Sequence, residues 1–508
     1  MNMMIGYGAI LLFTLLVVVV MNRSKRGDSS LSEYATGGRS FNSFFGTMAF
    51  LNTWIAGTVF IAFAGLTASA GVIGFYSLSY SLLSVVLMFF LGTPVNKWGR
   101  IHDLRTQADL LGLRYNSRTV RVIAAIIGVV ASIPWVVLGM QSLGLVFSTL
   151  SFGAVSPYLA VVIGVLFIAA RQIWTVRLGT RGLIISDMVQ GLFAYGIGFL
   201  LILGLLVWLF TNGHGFGEVS PALLLLPGPD SPAGPLYLFS LMFTGMMGAW
   251  CWPDLFVRMF SVRTPRTVQK SAVQAAPIML LFSGALTTAC LLASSVPGVA
   301  DAPDTVWFTL AGVGGAVGIA VAGVCVVAAT MGNVGANLQA VGTQVVNDVI
   351  GGRGRERVES SKGAKIAVAV ITAISAGAAL LMANQVSGLI AIAFVSYQAV
   401  CQLAPTLLLG IFWRRGTAAA ATASMVTGTL TAAVLEIMYP SPLSIPWLGG
   451  LTSGVAGLIV NLAVYLAVSL IKPAPAAEQQ RVNTLFDDLK RTPNIQPAPH
   501  TADDHASA

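Results

Sequence analysis

Two stretches of the chain carry polar and small residues in the middle of otherwise apolar runs, and both are suited to hold an ion or a solute. The first is 42–70, NSFFGTMAFLNTWIAGTVFIAFAGLTASA, with Asn52, Thr53 and the Ala56-Gly57 pair at its centre. The second is 240–260, SLMFTGMMGAWCWPDLFVRMF, interrupted by Gly245, Gly248 and Pro253. A helix that breaks inside a membrane frees backbone groups for a ligand. Unwound carbonyls coordinate a small cation, and a half-helix N-terminus holds a carboxylate. A third stretch, 326–348, sets Ala329, Gly332, Asn333, Ala336, Asn337 and Ala340 along one helical stripe. It reads either as a close-packing face with amides bonding across helices, or as a face on which Asn333 gives oxygen to a cation held against the first stretch.

The elements that must position these residues are membrane helices. Of 508 residues, 56% are hydrophobic and 9% charged, with mean hydropathy +0.81, against roughly 25% charged in soluble domains. Thirteen continuous apolar spans can be drawn, beginning at 4–21 and 43–70 and ending at 447–471. The first reads as a retained helix, because its basic residues Arg23, Lys25 and Arg26 follow it. Alternate loops divide sharply by charge: all 28 Lys and Arg fall in one class or at helix ends beside it, and the other class has none. The positive-inside rule then sets the N-terminus outside and the C-terminus inside. The expected architecture is an all-α polytopic membrane protein, with a transmembrane domain over 1–472. A cytoplasmic tail, 473–508, reads as disordered or weakly helical.

The composition also excludes much. No soluble module interrupts the spans, and no nucleophile, metal or cofactor motif stands in them, so an enzyme is not expected. The four cysteines lie in apolar runs and the four histidines in loops or the tail, which leaves no metal spacing. The net charge of +9 marks membrane sidedness and no nucleic-acid partner. Asp187, Asp254 and Asp348 fall toward cytoplasmic ends, and Glu436 toward an outer end. By this reading neither a proton relay nor an arginine clamp occupies the bilayer centre. Backbone, hydroxyl and amide groups remain. The two interrupted spans sit five spans apart, which predicts a five-plus-five inverted repeat over about 42–210 and 236–413. Thr53, Trp54, Gly57, Trp250 and Trp252 would then surround a solute, together with Gln141, whose other reading is a hydrogen bond between helices.

Several segments resemble the sodium:solute symporter family. The run PTLLLGIFWRRGTAAAATASMVTG, Pro405 to Gly428, is similar to a family signature, and so are 35–41, 106–118, 186–191 and WPDLFVR at 252–258. Asp254 stands in that last segment where His or Gln is common. The resemblance implies a leucine-transporter-type fold and a sodium site between the second and ninth spans, falling on Asn52, Ile55, Ala329, Gly332 and Asn333. Gly332 and Asn333 occupy positions where sodium-coupled members usually carry hydroxyls. The resulting expectation is a secondary active symporter of the cytoplasmic (inner) membrane. It would import a small organic solute, for choice a monocarboxylate, on a sodium or proton gradient, with no cofactor beyond sodium as coupling ion. The alternatives are an uncoupled channel or facilitator and a transport-like sensor.

Overall fold

The structure, a computed structural model, describes residues 1–23, 30–351, 358–383 and 389–490. Among these no β-strand forms, and twenty α-helices account for the fold. The N-terminal half comprises α1 (Asn2–Arg23), α2 (Leu31–Thr36), α3 (Ser43–Trp54), α4 (Ala62–Ala70), α5 (Tyr76–Ile101), α6 (Gln107–Tyr115), α7 (Arg118–Leu150), α8 (Pro157–Gly191) and α9 (Gly198–Thr211). The C-terminal half comprises α10 (Tyr237–Gly248), α11 (Pro253–Ser261), α12 (Pro265–Leu292), α13 (Val306–Ala311), α14 (Gly315–Gln344), α15 (Lys362–Leu381), α16 (Leu389–Val400), α17 (Ala404–Phe412), α18 (Ala418–Met438), α19 (Ser453–Ile471) and α20 (Ala476–Asp487).

Ten helical runs among the described residues are long and apolar enough to cross a membrane. Three of them, 57–101, 157–211 and 303–350, extend over 45, 55 and 48 residues, well beyond the ~20 of one crossing. Each contains a glycine with positive φ, Gly71 at 61°, Gly179 at 59° and Gly315 at 62°, a conformation that side chains with a Cβ resist. The thirteen-span reading puts a short outer loop at 384–386, which lies outside the described residues, as does the chain beyond Lys490.

Both interrupted stretches break. α3 stops at Trp54, Ile55 and Ala56 leave the helical region (ψ 83° and 165°), a 3₁₀ turn follows over Gly57–Phe60, and α4 begins at Ala62. α10 stops at Gly248, a 3₁₀ turn covers Ala249–Cys251, and Trp252 is extended at φ −70°, ψ 127° before α11 starts on Pro253. Proline has no N–H to lose at a first helical position, so it starts α11 where it would have broken a continuous helix. The long helix α14 passes against the first break. A methyl group on Gly57 would lie 1.9 Å from the Thr330 hydroxyl and 2.7 Å from the Val326 carbonyl, so only glycine admits this approach.

Over its first part the tail takes the helical one of its two expected forms, and it is packed. Residues 476–487 form α20, whose Val482, Leu485 and Phe486 are buried. Trp98 Nε1 donates to the Leu485 carbonyl at 2.9 Å, and the Arg481 guanidinium donates to the carbonyls of Leu113 and Arg114. Three apolar residues at i, i+3 and i+4 give even a polar dozen-residue segment one face to bury.

Candidate functional site

The sequence-predicted residues converge on the break in α3, but through partners that the sequence did not single out. Asn52 is fully buried. Its Nδ2 donates to Asp187 Oδ1 and Gln190 Oε1, both at 2.9 Å, and its Oδ1 accepts from the Tyr195 hydroxyl at 3.0 Å. The same Tyr195 hydroxyl lies 3.1 Å from the Leu51 and Ile55 carbonyls. One phenolic proton faces three acceptors, so it can satisfy only one of them. Leu51 O already accepts from Ile55 N. The oxygens of Leu51, Asn52 and Ile55 therefore compete for a single hydrogen, and of these only Leu51 O has a backbone donor as well.

Asn333 closes the other side. Its Oδ1 accepts from Trp135 Nε1 at 3.0 Å and its Nδ2 donates to the Thr53 carbonyl at 2.6 Å. The orientation follows from the partners, since an indole N–H only donates and a carbonyl only accepts. The amide nitrogen, not the oxygen, thus faces the end of α3. Gly332 contributes space: a Cβ there would fall 1.8 Å from Asn52 Nδ2 and 3.1 Å from Gln190 Oε1. Ala329 is fully buried on the same helix. Thr330, one turn before Asn333, brings its hydroxyl to Gly57, and the neighbouring Thr58 hydroxyl is buried without a hydrogen-bond partner.

Behind this layer lies a buried ion pair that the sequence reading did not pair. Arg258 Nη2 is 3.2 Å from Asp187 Oδ2, and both side chains are at most 2% exposed. Arg258 Nε also donates to Thr53 Oγ1 at 3.0 Å. Arg171, likewise placed at a helix end by sequence, is buried and donates to Thr175 and Ser186. These charges are not at solvated ends. Asp187 lies on α8 beside Asn52, and the break before Pro253 leaves Arg258 on a short α11 that turns inward to meet it. A charge pair out of water persists only where each partner is held by the other and by further hydrogen bonds.

Between the two breaks is a closed cleft lined by Thr53, Trp54, Trp135, Trp252, Asp254, Leu255, Asn333 and Tyr397. Its water-accessible space is about 10 Å³, room for about one water molecule. Three rings form one wall. The Trp135–Trp252, Trp135–Tyr397 and Trp252–Tyr397 centroids are 5.6, 5.7 and 5.5 Å apart. Trp54 donates its indole N–H to Ser81 Oγ at 2.8 Å. Asp254, at the start of α11, is buried, and its Oδ1 accepts from Leu255 N at 3.0 Å.

Not every predicted residue reaches the cleft. Trp250 turns away: its Nε1 donates to the Ser84 carbonyl at 2.9 Å, and its ring stacks on Phe50 at 5.5 Å. Gln141 donates to the Met382 carbonyl at 3.2 Å, the interhelical bond that was its other reading. Gly57 packs on α14 and does not line the cleft. Trp135, Asp254, Tyr397, Asp187 and Tyr195 were missed as site residues. Only Asp254 carried a signal, as an acidic residue directly after a helix-breaking proline.

Comparison with known proteins places the chain in a family. The model of the sodium:solute symporter family matches residues 34–428. The chain belongs to the sodium:solute symporter family. An uncharacterized symporter of Bacillus subtilis, YhjB, is 26% identical over 516 residues, covering 94% of this chain and 99% of its own. A monocarboxylic acid transporter of Corynebacterium glutamicum is 25% identical over 474 residues, covering 87% of this chain and 84% of its own. The solved outward-open, substrate-bound structure of a Na⁺-coupled sialic acid symporter superposes with a TM-score of 0.71 at 15% identity, covering 93% of this chain and 98% of that one. At that identity the likeness speaks for the fold. As a member of this family the chain is a multi-pass membrane symporter, not an enzyme.

Proposed function

We propose that the chain is a secondary active symporter that binds a small organic solute in the cleft between the two breaks and drives its import with a cation gradient. The observation that carries this reading is the meeting of Thr53 and Trp54, at the end of α3, with Trp252 and Asp254, at the start of α11, around one closed space. Half-helices that end at a shared cleft can rock against the rest of the bundle and expose that cleft to either side in turn. The coupling ion is sodium or a proton. Sodium is supported by the acceptor-rich knot of Asn52 Oδ1, Ile55 O and Tyr195, and by the Thr330 and Thr58 hydroxyls near Gly57. With Ala329, Gly332 and Asn333 these form the proposed ion side. Thr53, Trp54 and Trp252 form the solute side, with Gly57, Trp250 and Gln141 as supporting residues.

The reading includes thirteen spans in a five-plus-five inverted repeat, with the N-terminus outside and the C-terminus inside, in a cytoplasmic membrane. The two breaks at a five-span offset and the one-sided distribution of Lys and Arg support it. A monocarboxylate is the second, more specific reading of the solute, favoured by the name of the Corynebacterium relative. Uptake into proteoliposomes of small acids, amino acids and sugars, with sodium and pH gradients imposed separately, tests both parts. Accumulation under one gradient alone identifies the ion.

A further inference from the structure

Asp254 is the one formal charge among the side chains that line the cleft. Asp254 is 3% exposed and lines it. Among the described residues no basic nitrogen pairs with this carboxylate. Arg258, one turn further along α11, acts on Asp254 through space, but its close contacts are with Asp187 and Thr53. No Lys, Arg or His lines the space. Thr53 and Trp54 belong to the C-terminal end of α3, a twelve-residue helix, and a helix C-terminus carries partial negative charge. Apart from Leu255 and Asn333, the remaining wall is aromatic: Trp54, Trp135, Trp252 and Tyr397. Ring faces are the negative part of the aromatic quadrupole and attract cations, most of all away from water. Several N–H groups beside the cleft are already committed. Trp54 donates to Ser81, Trp135 to Asn333, and Asn333 to Thr53.

We infer that the end of the solute recognised in this cleft is an ammonium group, held by the Asp254 carboxylate and the faces of Trp135, Trp252 and Tyr397. This rests on the reading that the cleft is the solute site, and it argues against a bare carboxylate as the recognised group. A carboxylate here would face the C-terminal end of α3 and Asp254, which already occupies the N-terminal end of α11 through Leu255 N, and no basic side chain lines the space. An ammonium would find a counter-charge and an aromatic wall at once. The three rings now touch one another, so binding would part them.

The test is binding to the purified full-length protein in detergent, read by tryptophan fluorescence and by the shift in melting temperature. The probes are choline, methylammonium and acetate, compared on the native protein, Asp254→Asn, Asp254→Glu and Trp252→Phe. The inference expects choline or methylammonium to quench fluorescence and raise the melting temperature, with acetate inert. Asp254→Asn should weaken ammonium binding at least tenfold, and Asp254→Glu should retain most of it. If Asp254→Asn does not fold, Trp252→Phe gives the second reading, a several-fold loss with the fold intact. Acetate binding alone, no response to either ammonium, or ammonium binding that ignores both substitutions would overturn the inference. Failure of the symporter reading shows separately, as absence of gradient-driven accumulation of any solute while ammonium binding persists.

Discussion

Asn333 donates its amide nitrogen to the carbonyl of Thr53 at 2.6 Å, and so holds the last turn of the half-helix α3 against the long helix α14. The same side chain accepts from Trp135 on α7. One amide thus links three elements at the point where the first interrupted span breaks. Replacing it by alanine leaves a buried indole N–H and a buried carbonyl without partners. Each hydrogen bond contributes about 1 kcal/mol, and a stranded buried group costs about 1–3 kcal/mol. Asn333→Ala should therefore lower the melting temperature of the purified protein clearly and reduce uptake. Asn333→Asp, which cannot donate to Thr53 when ionised, should reduce uptake without restoring stability.

Gly332 is predicted to tolerate no side chain while Asn52 stands opposite. A Cβ at 1.8 Å from Asn52 Nδ2 must displace a side chain that is held at both ends. Overpacking of this kind costs about 1–3 kcal/mol. Gly332→Ser should be destabilised by that order, and adding Asn52→Ala should recover much of the loss. A double-mutant cycle on thermal unfolding measures the coupling; additive effects would contradict the contact.

The buried pair Asp187–Arg258 should behave as a unit. Removing one member leaves the other as an uncompensated charge, at a cost of about 3–5 kcal/mol. Arg258→Leu and Asp187→Leu are each expected to express poorly or melt early. The double substitution should be less harmful than the sum. The melting temperatures of the three variants decide this.

Tyr195→Phe removes the single proton shared among Asn52, Ile55 and Leu51 but leaves the ring packed on Phe282 at 5.5 Å. Stability should fall by only about 1 kcal/mol. The half-saturating concentration of the coupling cation should change several-fold in an uptake assay, because the oxygens of Asn52 and Ile55 lose the hydroxyl beside them. An unchanged cation dependence would place the ion elsewhere.

The packed face of α20 offers a control outside the site. Phe486 on α20 packs edge-on to Trp98, 5.4 Å between centroids, and lies under the guanidinium groups of Arg114 and Arg414 at 5.6 and 5.0 Å. Phe486→Ala should cost about 3 kcal/mol while leaving the ion and solute dependence of the remaining activity unchanged. Circular-dichroism melting beside uptake kinetics separates the two.

Much of this was legible from residue types. Asn52 and Thr53 are conspicuous in an apolar run, and Pro253 after two glycines announces a break, so both interruptions could be placed before any coordinates. What the sequence could not supply was direction. Trp250 and Trp252 look equivalent, yet the 3₁₀ turn and one extended residue send them to different surroundings, the first to Ser84 and the second to the cleft. Asp187 and Arg258 sit within a few residues of basic loops, and counting along the chain assigned them to helix ends. Their burial follows from how α8 and α11 pack on α3, which no local pattern encodes. Trp135 and Tyr397 lie in ordinary apolar helices, where an aromatic residue is usually core. α20 was hidden by its polar composition, because three buried apolar residues in twelve weigh little in an average.

The account stands or falls on coupled accumulation. Purified protein in sealed proteoliposomes should concentrate a small organic solute above its outside level when an inward sodium or proton gradient is imposed, and lose that excess when an ionophore collapses the gradient. Solute that only equilibrates, at the same rate with and without the gradient, would contradict symport and leave a facilitator in its place.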